Sequence, residues 1–212
     1  ENVMANLILL IFIVTLFFLV SAWRLVTYIQ ILALQGVMLF LVALLSLTQM
    51  HWANFAFILT ETVIVKAVII PVFLAYILKR NNITREAEPL VPTFVSLVLM
   101  MMLVIMIFFL SYASGYAILD NLFFVVALST IFTGLYIIMT RRKIITHVMG
   151  FLVIENGVFI LSLAVGNEMP MMVNMGVLLD MLAGVLTLGI FINKIGDVFK
   201  DGDVSNLRRL KD

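Results

Sequence analysis

The sequence predicts an all-α polytopic membrane protein with about seven transmembrane helices. Apolar residues make up 64% of the 212-residue chain and charged residues only 12%, whereas soluble domains average about 25% charged residues. The mean hydropathy is +1.22. Because so little charge could not cover a water-facing surface, the composition excludes a soluble enzyme, a disordered tail and a nucleic-acid-binding protein.

Long apolar stretches recur along the chain, and each is close to the roughly 20 residues that a helix needs to cross a bilayer. Short breaks separate them, for example at Trp23 and Arg24, at Ser114 and Gly115, and at 141–143. The first stretch lacks a basic leading segment and a small-residue cleavage pattern, so we expect a membrane span and not a signal peptide. The expected spans are 3–22, 25–47, 52–79, 91–112, 117–139, 144–166 and 171–195.

The basic residues indicate one orientation in the membrane. All but one of the 13 Lys and Arg residues fall at the same face of the expected helices, in alternate connections and in the tail. An excess of Lys and Arg marks the cytoplasmic side. The pattern therefore predicts a multi-pass protein with its N-terminus outside and its C-terminus in the cytoplasm.

Ionisable side chains also lie where the bilayer core is expected: Glu61 and Lys66 in span three, Glu155 in span six and Asp180 in span seven. Each costs about 2.5–3.5 kcal/mol on insertion scales, so each needs a partner or a function. Two interpretations stay open, buried structural ion pairs or a proton or ion path. Their spread over different helices favours the path.

Helical geometry predicts that Glu61 and Lys66 point in different directions. Residues five apart on an α-helix are separated by about 140°, whereas pairs on the same face are three or four apart. We therefore expect each of these side chains to have its partner on another helix.

Small and polar residues accompany the acidic positions of the last two spans. Gly176 and Gly184 lie four residues before and after Asp180. Gly150 and Gly157 share a face of span six. Because such glycines let helices approach closely, we expect all of them to pack helices together. Possible accessory residues of the path are His147, Asn156, Gln35 and Asn174.

No catalytic residue and no metal site is expected in this chain. The cysteine count is 0, which excludes iron–sulfur clusters and other sites held by thiolates. The chain has 14 methionines, and we interpret their clusters as packing residues instead of copper ligands.

The sequence looks internally doubled. Gly36 and Glu61, in spans two and three, have counterparts in Gly157 and Asp180, in spans six and seven. We therefore expect two parallel three-helix units joined by a connector helix. The expected divisions are a first unit at 1–80, a cytoplasmic loop and connector helix at 81–115, a second unit at 116–195 and a cytoplasmic tail at 196–212.

The second unit resembles a known family of membrane subunits. Arg141 and Arg142 precede span six, Glu155 lies within it, and Asp180 is followed by Gly184. This arrangement is similar to the K-type subunit of respiratory complex I and the C subunit of Mrp-type cation/proton antiporters. The chain length, the doubled layout and the segments GFLVIENG (150–157) and LDMLAGVLTLGIFI (179–192) resemble still more closely the E component of hydrogenase-4 and formate hydrogenlyase-type complexes.

The resemblance implies a non-catalytic membrane-arm subunit of an energy-converting hydrogenase or formate hydrogenlyase-like complex in the cytoplasmic (inner) membrane. Glu155 and Asp180 would carry the proton-path role, and Glu61 with Lys66 would form the first unit's version. The implied partners are antiporter-like subunits, other membrane-arm subunits and a cytoplasmic hydrogenase or electron-transfer arm. The implied nickel–iron and iron–sulfur centres would belong to those partners, with no cofactor in this chain. Two alternatives stay open, a subunit of a cation/proton antiporter without redox partners and a structural scaffold.

Overall fold

The computed structural model describes residues 3–46, 52–80, 90–114 and 121–164. Within these ranges the chain is helical and has no strand. The helices are α1 (Val3–Ser21), α2 (Leu25–Ser46), α3 (Trp52–Ile58), α4 (Ile70–Arg80), α5 (Thr93–Ser114), α6 (Asn121–Thr140) and α7 (Ile144–Ala164), and a π-helical segment (Leu59–Ile69) joins α3 to α4.

Six helices are long and apolar enough to cross a membrane. They are α1, α2, α5, α6, α7 and the helix formed by the π segment with α4. Large apolar side chains also cover their outer faces, as at Phe18, Phe94 and Met139, which is typical of helices that are not surrounded by water. The all-helical, membrane-type prediction is therefore confirmed for the described residues. The seventh expected span, 171–195, and the tail, 196–212, lie outside them.

Helix α2 lies at the centre of the described helices. It contacts α1 on one side, the π segment and α4 on another, and α7 on a third. Among the described helices, α5 lies at the edge, against α6 and α1. The connections at 22–24 and 141–143 are short, so α1 with α2 and α6 with α7 form neighbouring antiparallel pairs.

Glycines bring α6 and α7 into backbone contact. A Cβ added to Gly134 would lie 2.6 Å from the carbonyl oxygen of Gly150, and one added to Gly157 would lie 2.9 Å from that of Ala127. Both distances are too short for a real side chain, so these positions require glycine. This packing fixes α7 on α6 at two levels, above and below Glu155.

The π segment interrupts the third long helix near its middle. Its hydrogen bonds run from residue i to i+5, and the last of them joins the Ile70 N–H to the Val65 carbonyl. Pro71 follows directly and has no N–H, so it cannot provide the donor that an α-helix would use there. The Thr62 hydroxyl donates to the Ile58 carbonyl at 2.6 Å, which also favours an irregular helix.

Candidate functional site

A buried ionic cluster, formed by Glu61, Lys66 and Glu155, bridges the π segment and α7, which both pack on α2. Lys66 Nζ is 2.9 Å from Glu155 Oε1 and 3.8 Å from Glu61 Oε1. None of the three side chains is more than 7% exposed. The Phe159 ring lies 4.9 Å from Lys66 Nζ, within the range of a cation–π interaction. The structure thus brings together three residues that the sequence placed on two separate spans.

The expectation that Glu61 and Lys66 point apart is wrong. It assumed α-helical geometry, in which residues five apart lie on different faces. In a π-helix the i→i+5 hydrogen bond brings such residues nearly into line, so both side chains face the same buried space. The irregular backbone is therefore what lets one ammonium reach both carboxylates.

Gly36 determines how closely α2 approaches the π segment. A Cβ at this position would lie 2.9 Å from the Ala67 nitrogen and 3.0 Å from the Thr62 carbonyl oxygen. The backbones therefore touch on either side of Lys66. Close contact here holds the π segment, and with it the Lys66 side chain, at a fixed distance from α2.

A chain of polar side chains, Thr15, Gln35 and Asn156, crosses from α1 through α2 to α7. Asn156 Nδ2 donates to Gln35 Oε1 at 3.1 Å, and Gln35 Nε2 donates to Thr15 Oγ1 at 3.0 Å. At 1.5 Å per residue, Gln35 and Asn156 lie roughly 15 and 18 Å from the starts of their helices. Because Asn156 follows Glu155 directly, this polar chain adjoins the ionic cluster near the middle of the helices.

Arg141 joins the two halves of the described chain at the C-terminal end of α1. Its Nη2 donates to the Val20 carbonyl at 2.8 Å and to the Ala22 carbonyl at 3.3 Å. Its guanidinium carbon also lies 5.8 Å from the centre of the Tyr28 ring. The carbonyls at a helix C-terminus have no partner within the helix and attract positive charge, so Arg141 caps α1.

His147 lies beside this junction. Its Nε2 is 2.9 Å from the Arg141 carbonyl oxygen, and since a carbonyl only accepts, the ring nitrogen donates. The sequence names His147 as a possible accessory residue of the path. In the structure its Nε2 is engaged with the backbone of the α6–α7 connection.

We expect Arg141→Gln to destabilise the protein, while Arg142→Gln has little effect. Hydrogen bonds to charged groups contribute about 1.5–3 kcal/mol each, and a glutamine retains only part of them, so the expected loss is about 1.5 kcal/mol. Arg142 is exposed and is the adjacent control. Denaturant unfolding in mild detergent measures both variants. Equal losses for the two arginines would contradict the capping role.

Several expected site residues lie outside the described residues. These are Asp180, Asn174, Gly176 and Gly184. Sequence reasoning missed Thr15, Tyr28 and Phe159. A signal for Thr15 was available, because its hydroxyl lies within the long apolar run between Asn6 and Ser21.

The chemistry available in the site is proton exchange between carboxyl and ammonium groups. Within the described ranges, no group of three or more His, Cys, Asp and Glu side chains is placed to hold a metal ion. Two carboxyls face one ammonium, so full ionisation leaves one negative charge without a partner among the described residues. A buried unpaired charge is costly, and one bound proton removes it.

The fold and the site define a helical protein of membrane type with a buried ionic cluster. No protein-family model matches the chain, and no solved structure matches it. Over 86 residues the chain is 28% identical to an uncharacterized protein, Rv0085, of Mycobacterium tuberculosis. The aligned residues amount to 41% of this chain and 39% of that protein, so the chain spans well under two thirds of its relative.

Proposed function

We propose that this protein forms part of a proton path through the membrane. The observation that carries the proposal is the buried ionic cluster, in which Lys66 Nζ lies 2.9 Å from Glu155 and 3.8 Å from Glu61. Ionisable residues inside a membrane bundle typically mark substrate or proton pathways. The cluster offers a carboxyl and an ammonium group on the π segment and a carboxyl on α7, between which a proton can pass.

The excess carboxyl supports proton binding over a purely structural role. A structural pair needs one acid and one base, and here a second acid lies within reach of the same ammonium. In its neutral form the cluster holds one additional proton on a carboxyl. When the long Lys66 side chain turns from Glu155 towards Glu61, it stabilises the ionised form of Glu61. The proton on Glu61 then passes to Glu155, so the negative charge moves to Glu61 while Lys66 remains an ammonium.

The setting that we propose is the membrane arm of an energy-converting hydrogenase or formate hydrogenlyase-like complex. The resemblance of 141–195 to the E component of hydrogenase-4 supports it. The protein would lie in the cytoplasmic (inner) membrane, with its N-terminus outside, against antiporter-like and other membrane-arm subunits. Nickel–iron and iron–sulfur centres would belong to the cytoplasmic arm. Asp180, outside the described residues, would continue the path.

Purification of the complex through a tag on this chain tests the setting. The chain is extracted in a gentle detergent, and mass spectrometry identifies the proteins that accompany it. Hydrogenase or formate dehydrogenase subunits support the proposal. Antiporter subunits without any redox protein would instead favour a cation/proton antiporter.

Glu155→Gln is expected to lower proton translocation per assembled complex by about 100-fold, the lower end of the contribution of a positioned proton-transfer group. The variant leaves Lys66 paired with Glu61, so the complex still assembles. Proton uptake into vesicles, normalised to the amount of complex, measures the loss.

The control for Glu155→Gln is Ser129→Ala, which removes a buried hydroxyl from α6, a helix outside the ionic cluster. This variant is expected to translocate protons normally. If Glu155→Gln instead lowers assembly and leaves translocation per complex intact, the subunit is a structural scaffold.

A further inference from the structure

A small cavity adjoins the ionic cluster. Its volume of about 10 Å³ is close to the least that accepts one water molecule. Lys66, Glu155 and Asn156 supply its polar wall, and Glu155 Oε2 is buried without a hydrogen-bond partner among the described residues. Within the described ranges, the other lining side chains are apolar: Leu32, Ile70 and Leu152.

The Phe12 carbonyl fixes the direction of the hydrogen bonds along the polar chain of Thr15, Gln35 and Asn156. The Thr15 hydroxyl lies 2.6 Å from the Phe12 carbonyl oxygen, which can only accept, so Thr15 donates there. Thr15 Oγ1 therefore accepts from the Gln35 amide nitrogen. Gln35 must then present its oxygen to Asn156, and Asn156 must donate with its own nitrogen.

This direction determines that Asn156 faces Gln35 with its nitrogen and not with its oxygen. One N–H of its Nδ2 donates to Gln35, and the side-chain oxygen of this cavity-lining residue remains as an acceptor. The residues that line the cavity thus supply two acceptors, Asn156 Oδ1 and Glu155 Oε2, and the N–H donors of Lys66. A lysine ammonium has three donors and no acceptor.

We propose that the cavity binds one water molecule. The water accepts a hydrogen bond from Lys66 Nζ and donates to Glu155 Oε2 and Asn156 Oδ1. A buried water typically makes about three hydrogen bonds, and this position provides them. The Lys66 ammonium opposes a metal cation and the Glu155 carboxylate opposes an anion, so a neutral molecule of this size fits best.

Gln35 and Thr15 act on this water as positioning residues. They do not touch the cavity, but they hold the Asn156 amide in the orientation that exposes its oxygen. Amide groups do not readily pass protons on, so the polar chain orients the site and does not conduct. The water site is therefore inferred from geometry alone and does not depend on the proposed proton path.

The direct test is a cryo-electron microscopy map of the complex purified through this chain. The resolution must suffice to show ordered water elsewhere in the same membrane arm. We expect a density peak about 2.7–3.2 Å from Lys66 Nζ, Glu155 Oε2 and Asn156 Oδ1. The lack of a peak there, in a map that shows other buried waters, overturns the proposal.

Infrared difference spectra after exchange of H₂¹⁶O for H₂¹⁸O provide a second test in the same complex. The wild type is expected to show an isotope-sensitive water O–H band that Asn156→Leu lacks. Thr15→Ser keeps the hydroxyl and should keep the band. Thr15→Val frees the Gln35 amide to turn, so the band should shift. A water spectrum unchanged in Asn156→Leu overturns the assignment.

Discussion

Lys66→Met is expected to destabilise the protein by about 3–5 kcal/mol, the cost of removing one partner from a buried ion pair. The substitution removes the only ammonium among the described residues within ion-pair distance of Glu61 and Glu155. Both buried carboxyls then have no positive charge within ion-pair distance in the described part of the chain. Denaturant unfolding in detergent measures the loss of stability, and the yield of assembled complex provides an independent readout.

The double variant Lys66→Met/Glu155→Gln separates this charge effect from a packing effect. Neutralising Glu155 leaves one carboxyl, Glu61, which a proton can neutralise. Since replacing a whole buried pair by neutral groups is often nearly neutral in stability, we expect the double variant to regain most of the loss. A double variant as unstable as Lys66→Met alone would mean that the lysine stem, and not its charge, stabilises the site.

The helices could be predicted from sequence because a helix that crosses a bilayer must be long and apolar. The short polar breaks between such stretches mark where each helix ends. The expected start of span six, residue 144, coincides with the start of α7 at Ile144. Span four was expected from residue 91 but begins at Thr93. The first helical hydrogen bond runs from the Ser96 N–H to the Pro92 carbonyl at 3.0 Å, so Pro92 precedes the helix.

The members of the ionic cluster were also predictable, since charges are rare enough inside apolar spans for each to be noticed. Their geometry was not predictable. The π segment depends on backbone hydrogen bonding around Thr62 and Pro71, and helical periodicity carries no sign of it. The acceptor role of Thr15 depends on which helices become neighbours, which one sequence does not reveal.

Arg141 illustrates the same limit. A count of charges groups it with Arg142 and Lys143 as a marker of the cytoplasmic face. In the structure it is only 5% exposed and caps α1. The sequence indicates that a charge is present near a helix end, but only the packing of α1 against α6 decides whether it meets solvent or protein.

Gly36→Ala is expected to destabilise the protein by about 3 kcal/mol, the upper part of the range for overpacking. The added methyl group would lie 2.9 Å from the Ala67 nitrogen and 3.0 Å from the Thr62 carbonyl oxygen. These are backbone atoms, which cannot rotate away as a side chain can. Helix α2 and the π segment must therefore separate, and the loss of unfolding free energy in detergent measures the cost.

The consequence for the site distinguishes Gly36→Ala from a general loss of stability. Separation moves Lys66 relative to Glu155 on α7, so the 2.9 Å ion pair should lengthen and proton translocation should fall even in complex that has assembled. Leu34→Ala is the control, because Leu34 lies on the same helix and is 50% exposed. It is expected to change stability by no more than about 0.5 kcal/mol. Normal translocation in assembled Gly36→Ala complex would show that the contact between α2 and the π segment does not position Lys66.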